Sequence, residues 1–310
     1  MIMERYRVKL NFTSPIHIGY REGVFNLTET TIHSDTIFSG IINCYHNLFG
    51  IAKTNDLVSK FINGEEPFLV SSSFYYIDDE YLLPRPMSIS LLDYVKDFKK
   101  EKKIKFISEK VLFGKSNNVF IKGELLLSKD IDKDIYKIEE RPRVVIDRIT
   151  NGTNIYYNSC CRFNEGCGLW FYLDVNEEFK EEIFAAVKLL GDEGIGGERT
   201  YGCGQFEASF EKININNKEG KNYLLLSLCI PNNKDNLNDL ISYQITERTG
   251  YIYSPYITSK RHMLYKVIKE GSILKSKFLG NIIDDTPEGF NAHKVIKYGK
   301  AFVIPLGLEG

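Results

Sequence analysis

Hydrophobic and polar residues alternate strictly at the start of this chain. Between Arg5 and Phe12 every second residue is apolar, and charged or amide residues fill the other positions. This is the period-two pattern of a β-strand with one buried face, so we expect the first strand here.

Two later stretches have the spacing of amphipathic helices. Residues 35–49 repeat apolar side chains every three or four positions, with Ser34 at the expected N-cap and Gly50 directly after them. Asn176 precedes a second stripe of this kind, which Gly191 is expected to end. We therefore predict one helix near each of these stretches.

Most other patterned runs are typical of strands. Asn151-Gly152 lies between two β-leaning runs and favours the positive φ angles of a tight turn, so a hairpin is expected at Arg143–Phe163. A helix is predicted at Asn236–Ile245. The further predicted strands are Phe68–Ile77, Gly168–Val175, Gln205–Ile213, Tyr223–Ile230, Arg248–Tyr253, Arg261–Ile268 and Ala301–Pro305.

This order of elements predicts an α+β fold of two ferredoxin-like βαββαβ domains. The chain has 310 residues, which exceeds the roughly 250–300 residues that one hydrophobic core usually serves. The first domain is expected at 1–213, with a lysine-rich, partly helical insertion at about 84–140, the hairpin at about 143–163 and a glycine-rich loop before its last strand. A polar linker leads to a second, degenerate ferredoxin-like domain at 222–310.

The composition is that of an ordinary folded protein. With 43% hydrophobic and 26% charged residues, disorder, collagen and coiled coil are excluded for the chain as a whole. Its apolar runs fall short of the roughly 20 residues of a bilayer span and charges stand near its start, so we expect a cytoplasmic protein that is neither exported nor membrane-spanning. Six cysteines without a Cys-x-x-Cys pair indicate reduced thiols rather than a disulfide framework.

The net charge of −1 gives no argument for nucleic-acid binding, which would have to rest on local patches. Residues 96–115 carry eight lysines against three acids, and residues 258–280 carry five lysines and one arginine against one acid. Each run is either a solvated face or a contact for an anionic ligand.

The stretch from Gly191 to Phe206 is the most distinctive, with six glycines within 14 positions. It follows a predicted helix and precedes a predicted strand, which is the reverse of the strand, glycines, helix order of phosphate-binding nucleotide loops. Two interpretations stay open. The glycines serve either a tight crossing of the chain or the close approach of a nucleic-acid backbone, with Arg199 on phosphate and Tyr201 as a stacking face.

The five histidines have no metal-ligand spacing, and we expect neither a metal nor a cofactor. His17 and His33 are candidates for general acid and base in RNA cleavage. The helix entrance from His33 to Ser39 offers amides and hydroxyls suited to a phosphate, although ordinary capping explains it equally.

Arginines cluster at the predicted hairpin in a chain that otherwise favours lysine, and their planar guanidinium groups suit phosphates and bases. A weaker set of basic and aromatic residues lies in the second half. The hairpin set is Arg141, Arg143 and Arg148, and the second set is Arg248, Tyr251, Lys260 and Arg261.

Seven short motifs in a fixed order carry a resemblance to a known family. The set resembles the subunit-four family of the type III-A CRISPR Csm effector complex, within the RAMP superfamily, and it runs nearly end to end. The motifs are Pro15-Ile-His-Ile-Gly19, Ser34-Asp-Thr-Ile-Phe-Ser39, Leu83-Pro-Arg-Pro86, Gly194-Ile-Gly-Gly-Glu-Arg-Thr-Tyr-Gly-Cys-Gly204, Arg248-Thr-Gly-Tyr251, Glu270-Gly-Ser272 and Ile283-Asp-Asp-Thr-Pro287.

The resemblance implies two RRM-like domains and a non-catalytic role. Such a subunit is expected to hold the repeat-derived 5′ tag of the crRNA and to dock the large polymerase/nuclease subunit to the RAMP backbone subunit, in antiviral defence. The hairpin would be a thumb that inserts at the crRNA and kinks it. The departure from related loops is Thr200-Tyr201, where small hydroxyl residues are more usual.

The residues assigned to RNA binding lie in these motifs or in the basic clusters. They are His17, Gly19, His33, Ser34, Asp35, Thr36, Ser39, Arg85, Arg141, Arg143, Arg148, Gly194, Gly196, Gly197, Glu198, Arg199, Thr200, Tyr201, Arg248, Tyr251, Lys260 and Arg261.

Two other function classes remain as alternatives. The first is a metal-independent endoribonuclease that processes CRISPR transcripts with His17 or His33 as general base. In that related group the glycine-rich loop is expected near the C-terminus, whereas about a hundred residues follow it here. The second is a protein scaffold without RNA contact, and the acidic residues Glu177, Glu178, Glu181 and Glu182 are the candidate docking surface.

Overall fold

The computed structural model describes residues 3–19, 26–91, 94–95, 97–116, 118–150, 152–214, 221–254, 256 and 260–306. Gly23 and Asn151, which the sequence placed in a loop and in the hairpin turn, lie outside them. The first part contains the strands β1 Met3–Phe12, β2 Ile18–Gly19, β3 Thr28–Glu29, β4 Phe68–Val70, β5 Phe74–Ile77, β6 Glu80–Pro84, β7 Phe106–Ser108, β8 Phe120–Lys122, β9 Leu125–Leu127, β10 Tyr136–Ile146, β11 Thr153–Phe163, β12 Cys167–Asn176 and β13 Phe206–Lys212. Its helices are α1 Ser34–Asn63, α2 Phe98–Glu101, α3 Glu109–Leu112 and α4 Lys180–Glu193.

The described residues after the linker form strands and one short 3-10 turn at Leu237–Asp239. Its strands are β14 Asn222–Leu225, β15 Leu240–Ser242, β16 Ile245–Arg248, β17 Tyr265–Ile268, β18 Ile273–Leu274, β19 Gly280–Asp284, β20 Ile296–Lys300 and β21 Val303–Leu306. Among the described helices, none is both long and apolar enough to cross a membrane.

One sheet forms the middle layer of the molecule. Its strand order is β13-β1-β12-β5-β6-β7-β9-β8, and β4 also pairs with β12. The central strands β13, β1, β12 and β5 are all antiparallel to their neighbours. The predicted first strand is confirmed, and its period-two pattern places Tyr6, Val8 and Leu10 in the core.

Strand β12 shows why both faces of this sheet are covered. Leu169, Phe171 and Leu173 belong to the core that α1 and α4 form on one face. Trp170 and Tyr172 alternate with them and pack on the other face, against the insertion and the second half of the chain. The sheet therefore separates a helical layer from a layer made of later sequence.

The two predicted helices are present, with different ends. Helix α1 covers the predicted 35–49, breaks at Gly50, where φ is +79°, and continues to Asn63. Helix α4 begins after a 3-10 turn at Glu177–Phe179 and ends at Glu193, with Gly194 as its C-cap, so the predicted end at Gly191 is wrong. Gly191 serves close packing instead, because a Cβ there would lie 2.2 Å from the carbonyl oxygen of Phe206.

The insertion is less helical than predicted. Its helices α2 and α3 have four residues each, while β6, β7, β9 and β8 extend the main sheet. Aliphatic residues such as Leu83, Ile107 and Leu126 make these strands part of the buried core, which is why they pair rather than coil.

The predicted hairpin is confirmed and is longer than expected. Strands β10 and β11 pair without interruption from Tyr136 with Phe163 to Ile146 with Thr153. Apolar side chains near the tip, including Ile149 and Val145, are exposed.

The helix predicted at Asn236–Ile245 is wrong. The Asn236 side chain accepts a hydrogen bond from the Asn238 amide and caps the start of a 3-10 turn of only three residues, after which Leu240–Ser242 pairs with β18. No α-helix occurs among the described residues of 221–306, so the βαββαβ pattern is not seen there. This half forms the sheet β15-β18-β14-β21 and shares cores with the first half, as where Tyr298 stacks on Phe38 with ring centroids 4.5 Å apart.

Candidate nucleic-acid interface

Residues 194–204, called the glycine loop below, lie on the backbone that enters β2. The Gly204 amide donates to the Pro15 carbonyl at 2.8 Å, and the Gly197 amide donates to the His17 carbonyl at 2.8 Å. The loop is thereby held in one position by main-chain hydrogen bonds, independent of its side chains.

At two positions of the glycine loop the neighbouring backbone is too close for any residue other than glycine. Gly196 has φ +94°, and a Cβ there would lie 2.5 Å from the His17 carbonyl oxygen. Gly204 has φ +88°, and a Cβ there would lie 2.2 Å from the Ile195 carbonyl oxygen. Both the left-handed backbone and the close contact therefore require glycine.

The loop also binds the base of the hairpin. Glu198, itself at φ +57°, accepts from the Arg143 guanidinium at 3.3 Å. The same guanidinium lies 3.8 Å from the ring centroid of Tyr201, an exposed residue of the 3-10 turn at Arg199–Tyr201. The predicted arginine at the hairpin and the predicted tyrosine of the loop thus form one cation–π pair.

A cleft of about 390 Å³ lies between the glycine loop, the first turns of α1 and the segment after β16. We call it the loop cleft. Nine of the residues predicted from sequence line it, from three distant parts of the chain: Gly19, Thr36, Ser39, Gly194, Gly196, Gly197, Arg199, Arg248 and Tyr251.

Arg199 is the cation of the loop cleft that is available to a ligand. Its guanidinium lies 4.5 Å from the ring centroid of Tyr253, which is 64% exposed. Among the described residues no side chain or carbonyl accepts a hydrogen bond from it. A stacked guanidinium with free N–H groups is suited to a phosphate or to a base edge.

Arg248 lines the same cleft, but its guanidinium is bound by a buried carboxylate. It donates two hydrogen bonds to Asp35, at 3.0 and 3.1 Å, and Lys297 contacts the same carboxylate at 2.8 Å. Burial alone would raise the pKa of Asp35, but Arg248 and Lys297 outweigh it and hold that pKa well below its usual range. Asp35 is therefore a buried anion that joins α1 to the second half.

His33 is a buried cation of similar character. Its Nδ1 lies 2.7 Å from Glu270, and its Nε2 lies 3.6 Å from Glu29. Burial would lower its pKa, but the carboxylate of Glu270 dominates and raises the pKa to about 10. His33 is thus protonated at neutral pH and cannot accept a proton as a general base.

His17 is placed structurally as well. It is buried, and its Nδ1 lies 2.7 Å from the Ser159 carbonyl, which fixes that nitrogen as the donor. Its ring lies under the loop, where a Cβ on Gly197 would be 3.0 Å from Cδ2. The hydrogen bond leaves Nε2 as the acceptor nitrogen of His17, and what limits its access to RNA is its burial under the loop.

Other predicted residues are engaged elsewhere in the fold. Ser34 is fully buried and accepts from the Leu228 amide, so the predicted side-chain cap of α1 is wrong. Arg85 donates to Glu101 at 2.7 Å and to the Ile89 carbonyl. We withdraw His33, Ser34, Asp35 and Arg85 from direct RNA contact because their polar atoms already have partners, and His17 because it is buried beneath the glycine loop.

The remaining predicted residues lie outside the loop cleft. Arg141 contacts Glu139 at 3.4 Å on β10, and Arg261 donates to the Tyr251 hydroxyl at 2.9 Å. Arg148 near the hairpin tip, Thr200 in the glycine loop and Lys260 are exposed.

A second and larger cleft of about 830 Å³ borders the insertion. We call it the insertion cleft. It contains Arg85 and His33, whose charges are neutralised by Glu101 and Glu270, and the acid Glu29 and the lysines Lys105 and Lys269 also line it. The loop cleft differs from it in the glycine loop and the stacked guanidinium of Arg199, not in the sum of the charges.

Sequence reasoning missed Tyr253 and Asn43, which complete the loop cleft. Tyr253 lies two residues after the Arg248-Thr-Gly-Tyr251 motif. The alternation of Tyr251 and Tyr253 could have indicated that both rings lie on one face of the chain. Asn43 is one turn beyond Ser39 on α1, so helical spacing alone could have added it. Within the described residues no group of three His, Cys, Asp or Glu side chains is arranged to hold a metal ion.

Family models match both halves of the chain. The RAMP superfamily model matches residues 9–207, and the model for the CRISPR Csm4 C-terminal domain matches residues 218–306. Two curated relatives, each called CRISPR system Cms protein Csm4, match over most of their length. The protein from Thermococcus onnurineus is 30% identical over 89% of this chain and 91% of its own, and that from Methanocaldococcus jannaschii is 28% identical over 98% and 97%.

Solved structures share the fold. The Csm3–Csm4 subcomplex of the type III-A CRISPR-Cas interference complex contains a chain that matches with a TM-score of 0.67 at 23% identity, covering 98% of this chain and 99% of that one. A chain of the Csm1–Csm4 cassette in complex with cA4 matches with a TM-score of 0.64 at 22% identity, covering 99% of both.

Proposed function

This chain belongs to the Csm4 family of the RAMP superfamily, whose members are subunits of type III-A CRISPR Csm complexes, and from this premise we propose that it holds the repeat-derived 5′ tag of the crRNA in the loop cleft. The observation that carries the proposal is the convergence of three distant segments on that cleft. Together they present the glycine loop, the free guanidinium of Arg199 and exposed tyrosine rings.

The cleft is suited to both the sugar–phosphate backbone and the bases of single-stranded RNA. The glycines allow the sugar–phosphate backbone to approach the main chain, and Arg199 supplies a charge-assisted contact to phosphate. Tyr251 and Tyr253 offer exposed faces on which bases stack without a strict sequence requirement.

The hairpin is proposed as the thumb that meets the crRNA at the end of the tag. Its base is fixed to the glycine loop through Arg143, so the RNA path can continue from the cleft along β10 and β11. Exposed apolar residues at its far end, above all Ile149, suit insertion beside a base or contact with a neighbouring subunit.

We further propose that this chain docks the large polymerase/nuclease subunit and the RAMP backbone subunit in one assembly. The two matching solved structures, in which Csm4 chains occur with Csm1 and with Csm3, support this assignment. The acidic start of α4 remains the candidate protein-docking surface, with Glu178 and Glu181 exposed there.

The division into two domains, 1–213 and 222–310, is also a proposal. The first fits a ferredoxin-like domain because its central strands follow the order last, first, third, second of a βαββαβ unit, with α1 and α4 on one face. The second is a strongly degenerate partner, since its described part has strands alone apart from one 3-10 turn.

The proposed role is non-catalytic, and the experiment separates it from the nuclease alternative. We would incubate the purified complex, with and without Mg²⁺, with labelled RNA that carries the tag and analyse it on native and denaturing gels. Shifted but intact RNA is expected. RNA cleavage that disappears in His17→Ala or His33→Ala would contradict the proposal and favour a processing enzyme.

A further inference from the structure

A smaller cavity lies beside the loop cleft, between α1, the segment after β16 and the residues that lead into β20. Its volume is about 160 Å³, and we call it the ring pocket. Its walls are aliphatic and aromatic side chains from both halves, among them Phe38, Ile42, Ile51, Tyr256 and Val295.

The ring pocket and the loop cleft have opposite chemistry. Around the ring pocket the only charged lining residue described is Lys294, and three imidazoles, His46, His262 and His293, complete the wall. The loop cleft, in contrast, carries Arg199, Arg248 and the carboxylate of Glu193 together with the glycine loop. A phosphate is therefore favoured in the cleft, and a neutral ring is favoured in the pocket.

The two cavities adjoin each other. Ser39 and Asn43 of α1, together with Tyr251 and Tyr253, line both of them. The free guanidinium of Arg199 stacks on Tyr253, at the boundary between the two spaces. A group that enters the ring pocket can consequently remain attached to a strand that lies in the loop cleft.

The volume limits the size of the occupant. A protein cavity of about 150 Å³ with aliphatic and aromatic walls holds a benzene ring. The ring pocket, at about 160 Å³, therefore has room for one planar ring and is partly open rather than fully enclosed.

The imidazoles give this pocket hydrogen-bonding edges that an alkyl cavity lacks. Asp285 holds Nδ1 of His262 at 2.7 Å, which leaves Nε2 for a ligand. Ser254 lies 2.7 Å from Nε2 of His293, whose Nδ1 lies 2.9 Å from the Lys294 carbonyl. Burial lowers the pKa of His262 despite Asp285, so its ring is neutral at pH 7 and suits the edge of a neutral base.

From this geometry we propose that one nucleobase of the strand in the loop cleft turns out of the stack and inserts into the ring pocket, so that the pocket fixes the register of the bound RNA. The inference rests on the proposed function and adds a binding subsite to it. Insertion costs the stacking of one base, and the aromatic and aliphatic walls replace those contacts.

The test combines a pocket-filling variant with RNA that lacks one base. Ile51→Trp fills the pocket from α1, and Ile62→Trp is its matched control, because Ile62 is on the same helix with 46% exposure against 43% and does not line the pocket. Asn55→Trp, at the exposed rim, is a second filling variant. The probe is synthetic tag RNA with an abasic ribose at each position in turn, bound to the assembled complex.

Both filling variants are expected to weaken binding of the intact RNA about fivefold to a hundredfold, the value of one stacked base, while Ile62→Trp binds normally. At one position alone, the abasic RNA should bind wild type and filling variants equally. Absence of such a position, or equal effects of Ile51→Trp and Ile62→Trp, overturns the insertion while tag binding stands. Failure of wild type to bind the intact RNA overturns both proposals.

Discussion

The first turn of α1 contributes polar residues to two different regions, a buried cluster of charged residues and the open loop cleft. Ser34 and Asp35 point into a buried cluster, where Arg248, Lys297 and the Leu228 amide bind them. Thr36 and Ser39 line the open loop cleft. One short motif thus divides into a structural half and a half available to a ligand.

The difference lies in where the partner of each charge is found. In the buried cluster every charge has a counter-charge from a distant part of the same chain, as with His33 and Glu270. In the loop cleft, Arg199 has a ring beneath it and no carboxylate among the described residues. An unsatisfied guanidinium on a fixed main chain is the stronger sign of an external anion.

The buried cluster should respond most strongly to mutation. Asp35→Ala leaves Arg248 and Lys297 buried without their anion, which we expect to lower the free energy of unfolding by about 3–5 kcal/mol. Urea denaturation measures it. Asp56→Ala, at an exposed site of the same helix, is the control and should stay within about 0.5 kcal/mol of wild type. Equal effects of the two variants would contradict a structural role of Asp35.

The glycine loop offers a matched pair of its own. Gly196→Ala and Gly202→Ala both place alanine at positive φ, but only the former meets a neighbour, since nothing lies within 4 Å of a Cβ at Gly202. Both should lose about 1–2 kcal/mol of stability from backbone strain. Gly196→Ala should lose about 1–3 kcal/mol more from the contact with His17, together with affinity for tag RNA. Identical behaviour of the pair in denaturation and in RNA titration would argue against a tightly seated loop.

Arg199 tests the open region directly. Arg199→Ala should weaken tag RNA binding by about 1.5–3 kcal/mol, the value of a hydrogen bond to a charged group, and leave stability within about 0.5 kcal/mol. Arg199→Lys keeps the positive charge but loses the planar stack on Tyr253. Its affinity for tag RNA should lie between those of wild type and Arg199→Ala. Fluorescence titration of labelled RNA gives the affinities. Unchanged binding in Arg199→Ala and in Gly197→Val would remove the assigned role of the loop.

The pH dependence that His33 confers is the smallest of these effects when it is expressed per pH unit. Its pKa is raised from 6.5 to about 10 in the folded state, so its stabilising contribution is complete below pH 6.5 and is lost as the pH rises through about 10. Wild type should therefore lose up to about 1.4 kcal/mol of stability per pH unit in that window relative to His33→Gln. Parallel stability curves of the two proteins between pH 6.5 and 10 would refute the buried ion pair.

The periodicity of the sequence correctly predicted the elements that depend on local sequence alone. The first strand, the start of α1 and the hairpin depend on alternation, three- and four-residue spacing and turn chemistry, and all three are present. The insertion strands and the helix wrongly expected at Asn236–Ile245 depend on pairing with distant strands, which periodicity does not report.

The sequence predicted which types of residue form the candidate site, but it did not predict which of those residues are buried and which are accessible. Asp35 and Lys297 are 262 positions apart, and no local pattern shows that they meet. The glycine motif singled out a loop that carries Arg199 to the cleft, and its glycines are required by close backbone contacts. Tyr253 was missed because its role follows from stacking under Arg199 across the two halves.

The most direct test of the account is photo-cross-linking of the assembled complex to tag RNA that carries 4-thiouridine, followed by mass spectrometry of the cross-linked peptides. The account predicts cross-links within the glycine loop and at Tyr251 and Tyr253, which border the loop cleft. Cross-links confined to peptides of the insertion cleft, such as those with Arg85 or Lys105, would contradict it.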